Sequence, residues 1–534
     1  MKKAEKTFRL CLSACLSMCL GGCVEPEQLT TMYLSSDTQT VTLVDEDGNS
    51  KTFPRGTAVN MSDRKTKDEN TVIIYVDDKQ MTVPKQILKD NREDCVEETV
   101  LYINETVPAL VSPDLLSFQS MAPYCGEAQI LAHSPLLDDG SVEWYQTQYG
   151  YIHASHLSFT PVNDDTDYGA IHRDRENMYG GGSGADLDYT PHKKLATADK
   201  NVPETISAIY LNGATIPAMD AYIDAAVNTD INTFVIDIKD ADIIAVGADT
   251  MRQYSPSSYD HALNTLEDYC SAVQKANQAG IYTIGRITVF KDTWYASDHP
   301  ENAIISTADG SLFELGGALW PTPYSHDVWE YNTALALEMA EKAGFDEIQF
   351  DYVRFPESVD WYHDYLGQID LRNTENISRA QAVQQFLLYA TEILHRNGIL
   401  VSADVFGETS NDYVTAYGQY WPAISNVVDA ICAMPYPDHF AIHDYGIQQA
   451  VWEVPQLLLT YWGEYVSLRQ SETTSPARVV TYIQGYDSLR TPYVIYDKAK
   501  IDEQIQGLKD SGIYDGHIIW NSGSDLSRYI SYAD

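Results

Sequence analysis

The feature that most constrains this chain is a repeated alternation of apolar runs with helical patterns between residues 203 and 534. The runs are "AIYLNG" (208–213), "TFVIDIKD" (233–240), "YTIGRITVF" (282–290), "EIQFDYVRF" (347–355), "LVSADVFG" (400–407), "DAICAMPYP" (429–437), "VVTYIQGY" (479–486) and "GHIIWNSG" (516–523). Between them lie amphipathic stretches such as "TLEDYCSAVQKANQAG" and "AVQQFLLYATEILHRNG", which end on glycine, a common helix stop. Near-continuous apolar strands separated by helices call for a parallel sheet covered on both faces. Eight such units in about 330 residues fit an α/β fold of the closed (β/α)8 TIM-barrel type better than an open sheet.

In such a barrel the chemistry gathers at the C-terminal ends of the strands. The polar residues of these runs cluster there. The second run ends in Asp237, Lys239, Asp240 and Asp242, and the third carries Arg286. The fourth carries Asp351, Tyr352 and Arg354, and the fifth carries Asp404 and then Glu408. Tyr436 follows the sixth, Gln484 closes the seventh, and Trp520 and Asn521 close the eighth. A carboxylate set into an apolar run is costly unless paired or used. Strand alternation puts Arg354 on the opposite face from Asp351, so Arg286 on the neighbouring strand is the expected partner. Asp351, Asp404 and Glu408 are the candidate catalytic acids. Asp237, Lys239, Arg286, Tyr352, Arg354, Tyr436, Gln484, Trp520 and Asn521 are the candidate substrate-binding groups, and Trp320 is a further aromatic wall. The competing role for Asp351 is a salt bridge that only supports the strand ends.

The rest of the chain has a different texture. Residues 24–161 read as short strands and turns, with a hairpin signal at Asp47-Gly48-Asn49 in "TVTLVDEDGNSKTF". The ending "GYIHASHL" (150–157) resembles the last strands of bacterial SH3-like domains, and "TVPKQIL" (82–88) is a weaker version. Two small SH3-like barrels are expected there, with contact to the cell wall as one role and a plain spacer as the other. Residues 162–202, with Asp164-Asp165 and "GGGSG", read as a flexible linker.

Lys2, Lys3, Lys6 and Arg9 precede a short apolar run, Leu10 to Leu20, too short to span a membrane. It ends in "LGGC", which resembles the lipobox of bacterial lipoproteins, with Cys23 as the lipidated residue. Residues 1–23 are therefore expected to be a signal peptide with its lipobox cysteine, placing the protein, lipid-anchored, on the outer face of a bacterial cell membrane. Of the eight cysteines, Cys95, Cys125, Cys270 and Cys432 lie beyond it, too few for a disulfide scaffold, although Cys95 and Cys125 are close enough in sequence to pair. No Cys-x-x-Cys or His-x-x-x-His spacing marks a zinc site. No metal or other cofactor is expected. A formal net charge of −42 disfavours nucleic acid as a partner.

"GIYTIGRITVFKD", "GFDEIQFDYVRFP", "LVSADVFGET" and "AICAMPYPDHF" together resemble the motifs of a bacterial family of TIM-barrel glycoside hydrolases, long catalogued as a domain of unknown function. The resemblance covers about residues 206–525 and implies the barrel fold. It also implies hydrolysis of O-glycosidic bonds in a polysaccharide or oligosaccharide. By analogy with related barrel glycosidases, Asp351 matches the strand-four position that often supplies the nucleophile, and Asp404 or Glu408 would be the second acid. The competing function is a carbohydrate-binding surface lipoprotein that kept the cleft without turnover. A polysaccharide deacetylase or metal-assisted esterase is disfavoured by the missing histidine-rich spacing.

Overall fold

The computed structural model describes residues 27–77, 79–113, 115–197 and 200–534. The expected signal peptide and Cys23 lie outside these residues. The chain divides into two compact units, one of residues up to 98 together with 134–143, the other of residues 99–133 and 144–534.

In the first unit, strands Leu29–Leu34, Ala58–Ser62, Thr71–Val76, Lys79–Pro84 and Leu88–Lys89 form a five-stranded sheet, and Thr40–Val44 pairs with Ser50–Pro54 as a hairpin. The hairpin turns at the expected place. Asp45 Oδ1 accepts from the Asn49 backbone N–H at 2.8 Å, and Gly48 supplies the positive φ of 84° that the turn needs. Leu34, Leu43, Phe53, Ile74 and Met81 form its core. Cys95 belongs to this unit and Cys125 to the other, and both are free thiols, so the pairing suggested by their sequence proximity does not form.

In the second unit, seven strands between Val100 and Ser158 form a sheet. Phe118 from this sheet packs edge-on against Trp329, and Ser117 Oγ donates to Glu330 Oε2 at 2.8 Å.

The barrel follows. Its strands are β1 (Ile206–Leu211), β2 (Thr233–Asp240), β3 (Tyr282–Thr288), β4 (Glu347–Asp351), β5 (Leu400–Phe406), β6 (Ala430–Met434), β7 (Arg478–Gln484) and β8 (Gly516–Trp520). Each is parallel to its neighbours, and β1 pairs with both β2 and β8, which closes the barrel. A helix follows each strand: α1 (Met219–Ala226), α2 (Leu266–Gln278), α3 (His326–Ala343), α4 (Arg379–Arg396), α5 (Trp421–Ser425), α6 (Pro455–Ser471), α7 (Lys498–Asp510) and α8 (Leu526–Tyr532). Alternation explains why the strands are apolar throughout. Tyr210, Val235, Ile284, Cys432, Tyr482 and Ile518 fill the interior, while Ile209, Phe234, Ile287, Phe350 and Val401 pack outward under the helices. Ser378 and Gln381 cap α4 reciprocally, and Gly344 ends α3 in the left-handed region at φ 85°.

The described part of residues 162–202, expected as a flexible linker, contains little regular structure but forms a strap bonded to the barrel at several points. His172 stacks on Tyr189 at 3.7 Å and shares a hydrogen bond with the Tyr420 hydroxyl at 3.0 Å. The Gly181 carbonyl accepts from the Ala380 N–H at 2.9 Å, and a Cβ on Gly181 would collide with the Thr415 carbonyl. The Lys194 ammonium donates to the carbonyls of Ser425, Asn426 and Val428 at 2.9, 3.0 and 2.5 Å. Lysine is favoured at such a helix C-terminus.

Candidate active site

The inward residues at the ends of β2 to β5 meet around one guanidinium. Arg286 is 2% exposed. Its Nη1 donates to Asp237 Oδ1 at 2.6 Å and its Nη2 pairs with Asp351 Oδ2. The Arg286 Nε lies 3.7 Å from Asp404 Oδ2, and Nη2 lies 3.7 Å from Asp240 Oδ1. The Tyr210 hydroxyl donates to the second oxygen of Asp237. The Arg286 guanidinium also lies over the rings of Tyr210 and Trp520, 5.4 Å from each centroid. The expected Asp351–Arg286 pair is therefore present.

The electrostatics of this cluster are uneven. Burial works against the charge on Arg286, but Asp351, Asp237 and Asp240 hold its pKa well above the ordinary value. Burial pushes the Asp237 carboxyl up to about 7 against the pull of Arg286. Asp404 is pushed well above the ordinary carboxylate range, first by burial and then by the charge of Asp351. Neither Asp404 oxygen has a hydrogen-bond partner among the described residues. Burial without a hydrogen-bond partner favours the neutral, protonated form of a carboxyl.

Glu408 lies just past β5 in a short helical turn, Gly407–Ser410. It is exposed. Its two oxygens accept from Tyr413 Oη at 3.0 Å and Tyr417 Oη at 2.8 Å. Glu408 faces a cleft of 570 Å³ whose walls include Phe406, Tyr413, His439, Tyr445 and Tyr465. Tyr352 sits at the mouth with φ 50°, under Lys291, whose Nζ is 4.7 Å from its ring centroid. That left-handed residue breaks the strand alternation after Asp351. Arg354 consequently enters a box of Phe406, Tyr352, Trp320 and Tyr417 rings at 4.4 to 5.9 Å, and pairs with Glu357 at 2.5 Å. Tyr436 is buried near the same cluster, edge-on to His439 at 5.2 Å.

Three expected binding residues are placed elsewhere. Lys239 pairs with Asp292 and faces Tyr331 of α3, away from the mouth. The cause is a bulge. Asp237 sits opposite Arg286, but Lys239, two residues on, sits opposite Ile287, only one residue on. The extra residue flips the face that Lys239 would otherwise share with Asp237. Gln484 accepts from the Asp438 N–H at 3.2 Å and donates to the Tyr486 carbonyl at 3.0 Å, so its amide holds loops together. Asn521 does the same, donating to the Gly485 carbonyl at 2.9 Å and accepting from the Gly523 N–H at 3.1 Å.

The sequence reading missed Tyr210, Tyr413 and Tyr417. Tyr210 was within reach, since alternation from Ile206 places it inward. It also missed that Glu347, Gln349 and Asp351 form one inward polar column. Tyr282 Oη donates to Glu347 at 2.8 Å and Tyr482 Oη to Gln349 at 2.5 Å beneath the site.

No curated protein matches the chain. Among solved structures, a hypothetical protein from Ruminiclostridium thermocellum ATCC 27405 is 31% identical, over 37% of this chain and 97% of that one, with a TM-score of 0.31. The glycoside hydrolase domain of PgaB (BpsB) from Bordetella bronchiseptica is 12% identical, over 62% and 99%, with a TM-score of 0.42. A GH20 exo beta-N-acetylglucosaminidase from Vibrio harveyi is 13% identical, over 62% and 54%, with a TM-score of 0.39. The profile of the family described as "Putative glycosyl hydrolase domain" matches residues 208–526, which is more than half of the chain and takes in all of β2 to β8 with the site around Arg286; the chain belongs to that glycoside hydrolase family.

Proposed function

We propose that the protein hydrolyses glycosidic bonds within a polysaccharide by a two-carboxylate mechanism, with Asp351 and Asp404 as the pair. The observation that carries this reading is the contrast between them. Asp351 is ion-paired with Arg286, whereas Asp404, on the neighbouring strand, has no hydrogen-bond partner among the described residues and has its proton affinity raised by burial. Environments that drive two carboxyl groups apart in proton affinity separate the acid from the base or nucleophile. Asp404 gives its proton to the glycosidic oxygen as the bond to the anomeric carbon breaks. Asp351 attacks that carbon, or takes a proton from the water that does, according to the separation of the two groups around bound sugar. Trp520 and Tyr352 offer rings at the mouth for stacking.

Glu408 is a second reading for the acid, favoured by its exposure in the 570 Å³ cleft. The test is digestion of a polysaccharide panel with product analysis, comparing the protein with Asp351→Asn, Asp404→Asn and Glu408→Gln variants. Products that Asp351→Asn abolishes support the reading, and no product from any polysaccharide overturns it in favour of a binding protein.

The basic start, the apolar run and "LGGC" support a lipid anchor at Cys23 on the outer face of the membrane. The Cys23→Ala chain is then expected unprocessed or released into the medium. Normal processing and membrane retention would refute the anchor.

A further inference from the structure

We propose that a second glycan-binding site extends from the cleft across the strap to an exposed aromatic pair on the β4–α4 loop, and that it holds the part of a polysaccharide chain lying beyond the bond being cleaved. This rests on the reading of the mouth as a glycoside-cleaving site.

The far end of the track is a helical turn, Asp360–Tyr365. Trp361 and Tyr365, four residues apart, share one face of it. Their rings are stacked at 4.7 Å and 15°, and the side chains are 51% and 73% exposed. Two large rings stacked parallel, each more than half exposed to water, form a platform. A pyranose ring presents a flat face of C–H groups that suits such a surface.

The platform is tied to the cleft through named contacts. Asp364, between the two rings in sequence, accepts from Arg379 at 2.7 Å. Arg379 also donates to the Tyr179 carbonyl at 3.4 Å and to the Ala416 carbonyl at 2.7 Å. Tyr179, 43% exposed, packs edge-on against Tyr413 at 4.9 Å, and Tyr413 donates to Glu408 in the cleft. The glycines beside Tyr179 allow this approach. A Cβ on Gly180 would strike Asp364 and Arg379, and one on Gly182 would strike Ser378. The strap thus carries an exposed ring to a place between platform and cleft.

The charges nearby narrow the ligand. Glu408 and Asp444 line the cleft at the near end of the track, and the chain has a net charge of −42. An acidic polymer such as a uronate is repelled here. The ligand class is a glycan without acidic substituents.

Affinity electrophoresis of the full chain tests this, in gels containing mixed-linkage β-glucan, xylan, mannan, glycol chitin or polygalacturonate. Hydrolysis of each glycan is measured alongside. At least one of the first four is expected to retard the protein, and polygalacturonate is not. Trp361→Ala/Tyr365→Ala is expected to reduce the retardation at least fivefold with an unchanged melting temperature, and Tyr365→Ala alone to reduce it less. Asp351→Asn is expected to be retarded like the parent. Retardation by none of the gels, or equal retardation of parent and double variant, overturns the track. Cleavage with no effect of the double variant on retardation sinks the track and leaves the hydrolase reading intact. Retardation that depends on Trp361 and Tyr365, with no glycan cleaved, sinks the hydrolase reading and leaves the track.

Discussion

Asp237 and Lys239 stand two residues apart on β2, yet they belong to two buried ion clusters built on opposite principles. Among the described residues Lys239 has one carboxylate partner, Asp292, whose other oxygen accepts from the Tyr295 N–H at 3.0 Å. One positive charge meets one negative charge, and helix α3 seals them in. Asp237 joins Arg286, Asp351 and Asp404, where a single guanidinium faces three buried carboxyl groups. Such an excess of acid cannot all ionise in a medium of low polarity, so the surplus is kept as bound protons. A balanced pair has nothing to exchange with a substrate. An unbalanced cluster at the mouth of a barrel has a proton to give and a carboxylate to receive one.

The comparison breaks most sharply with one substitution in each cluster. Asp351→Asn should lower turnover by about a thousandfold or more, on the order of 4 kcal/mol in barrier, with little change in the melt. Asp292→Asn should reverse the order, costing about 3–5 kcal/mol of stability by leaving Lys239 buried and unpaired. Activity per folded Asp292→Asn molecule should stay normal. Full specific activity in folded Asp351→Asn would make the mouth cluster as structural as the other.

Asp404→Asn sharpens the assignment. Loss of the proton donor should slow turnover by roughly a hundredfold to ten-thousandfold. The melting temperature should hold or rise, because the carboxyl being replaced has no hydrogen-bond partner among the described residues. A large drop in stability would mean that Arg286 depends on Asp404 as a counter-ion. Glu408→Gln is expected to cost about tenfold, the scale of one weakened charged hydrogen bond. A loss matching that of Asp404→Asn would move the acid role to Glu408.

A further effect is on stability against pH. Asp237 has its proton affinity raised in the folded chain, to about 7 from an ordinary 3.8. The folded state then holds a proton that the unfolded chain releases. Its contribution is complete below about pH 4 and is lost as pH rises through about 7. Melting temperature should fall over that window, and Asp237→Asn should remove part of the slope. An unchanged slope would place Asp237 as an ordinary carboxylate paired to Arg286.

The barrel was legible because eight near-continuous apolar runs alternate with amphipathic helical stretches, and the Asp351–Arg286 pair followed from alternation across neighbouring strands. The same rule misplaced Lys239, since a bulge of one residue leaves no mark in "TFVIDIKD". Gln484 and Asn521 are polar at the right height, but their amides are taken by backbone groups of loops whose path no periodicity encodes. Tyr413 and Tyr417 lie on such a loop and gave no signal. The glycine run was ambiguous for a physical reason. The same residues suit a free linker and a tight approach of backbone to side chains, and only neighbours from elsewhere in the sequence decide between them.

The strap bears on how such a protein can be assembled from exchangeable parts. A shuffling event that cut the gene at the composition break near residue 203 would strip the barrel of Gly181 and Lys194. The Ala380 N–H would lose its acceptor, and three carbonyls at and just past the end of α5 would lose the ammonium that joins them. The heritable cassette is therefore longer than the barrel. It begins upstream of the strap, and a chimera that respects this boundary should keep a settled rim that one cut at residue 203 would not.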